Sequence, residues 1–125
     1  MKKITIYTSN TCKYCDTLKA ELEKNNIKFE NRITNEWEKE WNDVVSLTGM
    51  PTTPTVYYED SYFIPARDFG NPQQLVEILK HFQKPTFSET KQTLEKIKTL
   101  NYSINMTFRN ITQLLKTIEQ KIEKL

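Results

Sequence analysis

The chain of 125 residues is long enough for one compact core and too short for two. Its 18 lysines and arginines nearly balance its 16 aspartates and glutamates, so we predict neither a strongly basic surface nor a nucleic-acid partner. No apolar run approaches the roughly 20 residues that span a bilayer, which predicts no membrane partner. The N-terminus lacks the apolar core of a signal peptide, so we expect a reducing, cytoplasmic environment.

The first predicted elements are a strand, a turn and a helix. Apolar and polar residues alternate over 4–7, a polar turn covers 8–11, and apolar residues then recur at helical spacing over 15–24. The two cysteines of the chain, Cys12 and Cys15, lie where the turn becomes the helix. The sequence therefore predicts that Cys12 stands at or just before a helix N-terminus.

Strands and helices continue to alternate after this pair. Residues 27–33 form a predicted strand. Asn35, followed three residues later by Glu38, has the pattern of a helix N-cap with its capping partner. We predict that this second helix ends at Gly49.

The third part of the pattern is a pair of strands followed by a helix. Residues 55–58 are rich in β-branched and aromatic side chains, and after a turn the chain returns as a strand over 62–64. Asn71 with Pro72 predicts a capped helix that continues to residue 82. The order β-α-β-α-β-β-α predicts an α/β domain over residues 1–84.

Beyond this domain the pattern is that of one long helix. Thr86 and Glu89 form a further predicted capping box. Apolar residues then recur at heptad spacing. Nine of the ten a and d positions, which form the seam of a coiled coil, are apolar, and Asn101 is the exception. We predict a helical extension over 85–125 that forms homo-oligomers as a coiled coil through 87–125. Docking on its own domain and binding of a foreign helix are the alternatives. For the homo-oligomer, isoleucine at the d positions favours assemblies above a dimer, whereas Asn101 at position a favours a dimer in register, so both states stay open.

The Cys-x-x-Cys spacing at a helix start is typical of a redox-active dithiol. The positive end of the helix and its unpaired N–H groups stabilise a thiolate, which makes Cys12 the predicted attacking thiol, aided by the charge of Lys13. Cys15, one turn further in, is predicted to resolve the mixed disulfide. A closed zinc site needs four ligands, and one chain adds only His81, so we predict no metal site. Two cysteines that merely pack in the core are the remaining alternative.

Residues 1–84 resemble a glutaredoxin. The resemblance rests on the short strand, the segment Y-T-S-N-T-C-K-Y-C, the amphipathic helix and T-P-T-V at 53–56. It implies a thioredoxin-like α/β fold, in which a four-stranded mixed sheet is flanked by helices. It also implies an enzyme, a glutathione-dependent thiol–disulfide oxidoreductase that acts on disulfide-bearing proteins and glutathione-mixed disulfides, with glutathione as co-substrate.

The same resemblance implies binding residues around the cysteine pair. Pro54 matches a cis proline beside the disulfide, and the backbone of Thr53 would pair with a bound substrate. Tyr14 would flank glutathione, together with Lys13. Arg67 would pair with a glutathione carboxylate and Asp68 with its amino group.

Two departures from the family pattern keep other functions open. Lys13 stands where many glutaredoxins have proline, and Pro65 with Ala66 replaces a glycine pair. The alternatives are an electron donor fed by thioredoxin reductase and an iron–sulfur carrier in which two protomers hold a [2Fe–2S] cluster. A further alternative is an interaction protein whose C-terminal helix is the working part.

Overall fold

The computed structural model describes residues 3–83 and 91–124, with no side chains described for 91–93. The predicted capping box of Thr86 and Glu89 lies outside these residues. The order of strands and helices confirms the predicted α/β arrangement and the long final helix. The elements are β1 (Ile4–Thr8), α1 (Lys13–Lys24), β2 (Phe29–Ile33), α2 (Glu38–Thr48), β3 (Thr55–Tyr58), β4 (Ser61–Phe63), α3 (Pro72–His81) and α4 (Lys91–Glu123).

The four strands form one mixed sheet in the order β2-β1-β3-β4, as expected for the thioredoxin-like fold. β1 is parallel to β2, with Ile6 opposite Asn31, and antiparallel to β3, with Ile6 opposite Val56. β3 and β4 form an antiparallel hairpin. Since β1 is central, the turn that follows it emerges from the middle of the sheet, where the cysteine pair lies.

The hydrophobic core lies between one face of the sheet and helices α1 and α3. Successive strand residues point to opposite faces, so the alternation seen in β1 puts Ile4 and Ile6 on this side. Burying each such aliphatic side chain contributes about 1.5–3 kcal/mol. The core contains Ile4, Ile6, Leu18, Leu22, Ile27, Val56, Tyr58, Phe63, Phe69, Leu75, Val76 and Leu79.

The opposite face of the sheet is more polar and is covered by α2. The hydroxyl of Tyr7 donates a hydrogen bond to Glu40 at 2.5 Å, and Arg32 also pairs with Glu40. The ring of Tyr7 packs on Trp41 with centroids 5.7 Å apart, and Arg32 lies 4.4 Å over the ring of Trp37. Burial and the neighbouring carboxylate of Glu40 raise the pKa of Tyr7 well above its usual value.

The predicted start of α2 is wrong, because Asn35 is not its N-cap. The helix follows Trp37, which makes no side-chain capping bond. The backbone N–H groups of Glu36 and Trp37 both donate to the carbonyl of Ile33, at 3.0 and 3.1 Å, and this turn delays the helix. The predicted end is confirmed, since Gly49 takes the left-handed conformation with φ 72°.

The start of α3 follows the prediction. The side chain of Asn71 accepts a hydrogen bond from the backbone N–H of Gln74 at 2.8 Å, and Pro72 occupies the first helical turn. The second predicted strand is shorter than expected, because β2 begins at Phe29 and Ile27 is buried in the core instead.

Helix α4 contacts the domain through its first turns. Its 33 residues make it about 50 Å long at 1.5 Å per residue. Glu95 and Lys98 contact Tyr62 of β4, and the hydroxyl of Thr99 donates to the carbonyl of Thr48 in α2. Of the three arrangements considered for the extension, docking on its own domain is therefore present in the first turns of α4. Over the described ranges, no helix is long and apolar enough to cross a membrane.

Candidate active site

Cys12 and Cys15 are joined by a disulfide at the N-terminus of α1. Cys12 is the N-cap residue, with extended backbone angles, and its Cα lies 5.3 Å from that of Cys15. The backbone N–H of Cys12 donates to the carbonyl of Ser9 at 3.3 Å. This turn connects the end of β1 to the helix and holds the first sulfur at the helix start.

The two sulfurs differ in their surroundings. Cys15 is only 1% exposed, whereas Cys12 is partly exposed. The backbone N–H of Cys15 donates to Sγ of Cys12 at 3.1 Å. In the reduced protein, this N–H and the positive end of the helix would favour a thiolate at Cys12. The arrangement is the one that an attacking Cys12 and a resolving Cys15 require.

The loop before β3 lies next to the cysteine turn. The hydroxyl oxygens of Ser9 and Thr53 are 3.5 Å apart. The Thr53–Pro54 bond is cis, as the sequence resemblance implied, and Pro54 is buried. Thr55 fixes the loop by donating its hydroxyl to the carbonyl of Thr52 at 2.6 Å. Thr53 thus borders the cysteine turn through its side chain.

Two predicted binding residues lie inside the cysteine motif itself. Lys13 is exposed at the first position of α1. Tyr14 packs against the core, and burial raises the pKa of its hydroxyl. Within the described part of the chain, this buried hydroxyl has no hydrogen-bond partner.

Arg67 and Asp68 are brought together, but in a buried network rather than at an open surface. The side chain of Arg67 is fully buried and donates to Glu95 at 2.6 Å and to the carbonyl of Tyr62 at 3.0 Å. It also donates to Thr99 at 3.1 Å and to Asp68 at 2.8 Å. To bind glutathione, Arg67 would have to give up these partners, each worth about 1.5–3 kcal/mol when charged groups are involved.

The loop between β4 and α3 satisfies its own polar groups. Asp68 accepts a hydrogen bond from the backbone N–H of Ile64 at 2.8 Å and donates its own N–H to the carbonyl of Ile64 at 2.9 Å. Ala66 takes a positive φ of 70°, a conformation that usually favours glycine, and its N–H donates to Phe69 at 2.8 Å. The loop therefore closes tightly without the glycine pair of the family pattern.

Sequence reasoning missed the part that Glu95 plays in this network. Its carboxylate accepts from Arg67, from the backbone N–H of Tyr62 at 3.0 Å and from Lys98 at 3.2 Å. At the sequence level a glutamate beside a heptad seam is typical of a solvated helix face, so no local signal marks it.

The described residues contain no group of three or more histidine, cysteine or acidic side chains that could hold a metal ion. The chemistry that the Cys12–Cys15 pair offers is disulfide exchange.

Comparisons with known proteins agree with this geometry. Residues 4–63 match the family model described as Glutaredoxin. The glutaredoxin grx-1 of Archaeoglobus fulgidus superposes with a TM-score of 0.52 at 22% identity, over 64% of this chain and 88% of the other. The NrdH-redoxin of Escherichia coli superposes with a TM-score of 0.50 at 23% identity, over 67% of this chain and all of the other.

No curated protein sequence matches the chain significantly. At these identities the two structural neighbours show the fold, and the family model adds a match to the segment that holds the cysteine pair. Residues 4–63, with the Cys12–Cys15 pair, match the glutaredoxin family of thiol–disulfide oxidoreductases, and helix α3 and the long C-terminal helix α4 follow this segment.

Proposed function

We propose that this chain reduces disulfides in protein substrates through Cys12 and Cys15. The Cys12 thiolate attacks a substrate disulfide, forming a mixed disulfide and releasing one substrate sulfur, which takes up a proton. Cys15 loses its proton and attacks Sγ of Cys12, releasing the second substrate thiol. The substrate gains two electrons and two protons, and the chain is left with its Cys12–Cys15 disulfide. Such a dithiol suits a reducing cytoplasm, where we place it.

The observation that carries this proposal is the contrast between the two sulfurs. Cys12 is partly exposed and accepts a backbone N–H at the helix start, whereas Cys15 is buried behind it. A substrate sulfur can therefore approach Cys12 but not Cys15. Once the mixed disulfide forms, Cys15 is already within bonding distance of Cys12.

Substrate binding is proposed to use the loop beside the cysteines. Thr53 borders the cysteine turn through Ser9 and precedes the cis proline, and its backbone would pair with an extended substrate segment. Lys13 would attract acidic groups from its exposed position. The half-buried side chain of Tyr14 would flank the bound substrate.

For the electron source, we propose direct reduction by a flavoprotein of the thioredoxin reductase kind. Arg67 and Asp68, which would hold glutathione, are engaged by Glu95 and by the loop backbone. The loop has no glycine pair, and its N–H groups at Ala66 and Asp68 donate internally. The NrdH-redoxin of Escherichia coli is a glutaredoxin-like protein with a thioredoxin-like activity profile. These features favour an electron source that does not require a glutathione-binding pocket on this chain.

Glutathione as co-substrate is the second candidate. It is favoured by the partly exposed Cys12 and by Thr53, which would pair with the glutathione backbone as with any peptide. In this case Lys13 would supply the charge that Arg67 cannot, since Arg67 is buried.

The two candidates are separated by a coupled assay. NADPH oxidation is followed with insulin or a small mixed disulfide as substrate, once with thioredoxin reductase and once with glutathione and glutathione reductase. We expect turnover with thioredoxin reductase, lost in Cys12→Ser, and little turnover with glutathione. Turnover with glutathione alone would overturn the proposed electron source while leaving the dithiol chemistry intact. Absence of turnover in both, with a brown protein, would point to the cluster carrier instead.

A further inference from the structure

A continuous apolar stripe runs along α4 beyond the domain. Nine large apolar side chains, each between 45% and 70% exposed, recur at intervals of mostly three and four residues. An alternation of three and four gives a mean period of 3.5 residues, which is the coiled-coil repeat. The stripe consists of Ile97, Leu100, Ile104, Phe108, Ile111, Leu114, Leu115, Ile118 and Ile122.

The side of α4 that contacts the domain is a different one. Glu95 is 2% exposed and Thr99 bonds to Thr48 and Arg67, while the neighbouring Ile97 and Leu100 are about half exposed. In heptad terms, with Asn101 at position a, Glu95 and Thr99 occupy b and f, outside the a/d seam. The domain therefore leaves the stripe free, and covering the stripe need not displace the domain.

The exposed area is large enough for a specific interface. The chain has an accessible surface of 8709 Å². A compact monomer of 14.9 kDa exposes roughly 7,000 Å², so the excess is about 1,700 Å². A specific complex of ordinary size buries about 800 Å² on each partner. The surplus carried by one chain exceeds that requirement.

We propose that the stripe is covered by the same stripe of a second copy, in a parallel, in-register pair of α4 helices. Asn101 occupies heptad position a and is polar, so it interrupts the apolar seam. In the parallel register it meets the Asn101 of the other copy, and the two amides can bond to each other. In an antiparallel pair centred between Phe108 and Ile111, Asn101 would face Ile118, which leaves a buried amide without a partner.

The charges that flank the seam agree with self-pairing. A foreign partner helix is selected chiefly by charges at the e and g positions. In α4 beyond Thr99, the e and g positions hold mostly neutral residues, including Asn105, Thr107 and Thr112. In the parallel register Glu119 lies beside a leucine of the other copy, so no like charges meet. The flanks thus neither select a foreign helix nor repel a second copy.

Sedimentation equilibrium of the full chain over a series of concentrations tests the proposal. We expect a species of twice 14.9 kDa. The double variant Ile111→Asp with Ile118→Asp is expected to halve this mass. The matched control Gln113→Asp with Gln120→Asp adds the same charge on exposed residues outside the seam and should leave the mass unchanged. A wild-type monomer at every concentration, or a trimer or tetramer, would overturn the two-stranded pair.

The orientation is tested by cross-linking. Ile118→Cys is placed in a chain in which Cys12 and Cys15 are replaced by serine, and the protein is oxidised gently. The parallel register puts the two introduced thiols opposite each other, so a covalent dimer should form in most of the protein. A dimer by sedimentation that does not cross-link at this position would contradict the parallel register.

Discussion

The carboxylate of Glu95 lies 2.6 Å from the guanidinium of Arg67, and the two side chains are almost completely buried. Arg67 belongs to the loop that follows β4, and Glu95 belongs to the C-terminal helix, 28 residues later. Arg67 also bonds to Thr99 of the same helix. The first turns of α4 thus form part of the redox domain, and they fix the loop in which a glutathione site was expected.

Replacing Glu95 with alanine should strongly destabilise the protein. Among the described residues, the change leaves Asp68 as the one carboxylate partner of the buried Arg67 guanidinium, and breaking a buried ion pair costs about 3–5 kcal/mol. Since Asp68 remains, we expect a loss of about 3 kcal/mol in the free energy of unfolding, measured in urea. The control Glu119→Ala removes an exposed glutamate of the same helix and should change it by less than about 0.5 kcal/mol. Equal effects of the two variants would contradict a stabilising network.

Replacing Tyr14 with phenylalanine should leave stability unchanged or raise it. The hydroxyl of Tyr14 is buried without a partner in the described residues, and an unsatisfied buried hydroxyl costs roughly 1–3 kcal/mol. Thermal unfolding of Tyr14→Phe and the wild type measures this. A lower melting temperature would contradict the description of an unpartnered hydroxyl. Lower activity at unchanged stability would support a role in substrate binding.

Tyr62 should make the protein less stable in alkali. Burial, followed by the neighbouring Tyr57 and Glu95, raises the pKa of Tyr62 from 10.0 to about 12. Below pH 10 the phenol is neutral in both states and its full contribution is present. Between pH 10 and pH 12 the unfolded chain ionises first, so stability falls as the pH rises. Urea unfolding across this range should show a shallower decline for Tyr62→Phe, and an identical decline would rule out Tyr62 as a source.

The sequence was sufficient for most of the fold because its elements depend on local patterns. Alternation in β1 and helical spacing in α1 are visible over a few residues, and Asn71 caps its helix through a neighbour three residues away. The start of α2 was predicted wrongly because the carbonyl of Ile33 holds the following turn, and side-chain patterns do not show which carbonyl two N–H groups will choose. Asparagine is a residue type that often caps helices, but α2 begins only at Glu38.

The parts of the candidate site that depend on residues close together in the sequence were predictable, and the parts that depend on contacts between distant residues were not. Cys12 and Cys15 are three residues apart, and the strand-turn-helix context fixes their position. The partner of Arg67 lies on a helix that the sequence describes as a separate extension, so its burial could not be foreseen. The positive φ of Ala66 was also unforeseen, because alanine is not the residue that this conformation favours.

The proposed chemistry requires that the partly exposed Cys12 attacks and that the buried Cys15 resolves the mixed disulfide. The most direct test is to mix reduced Cys15→Ser and reduced Cys12→Ser separately with a small disulfide and to identify covalent adducts by mass spectrometry of the digested protein. We expect Cys15→Ser to accumulate a mixed disulfide on Cys12, and Cys12→Ser to form the adduct more slowly by a factor of about ten or more. A fast adduct on Cys15 in Cys12→Ser, with none on Cys12 in the other variant, would contradict it.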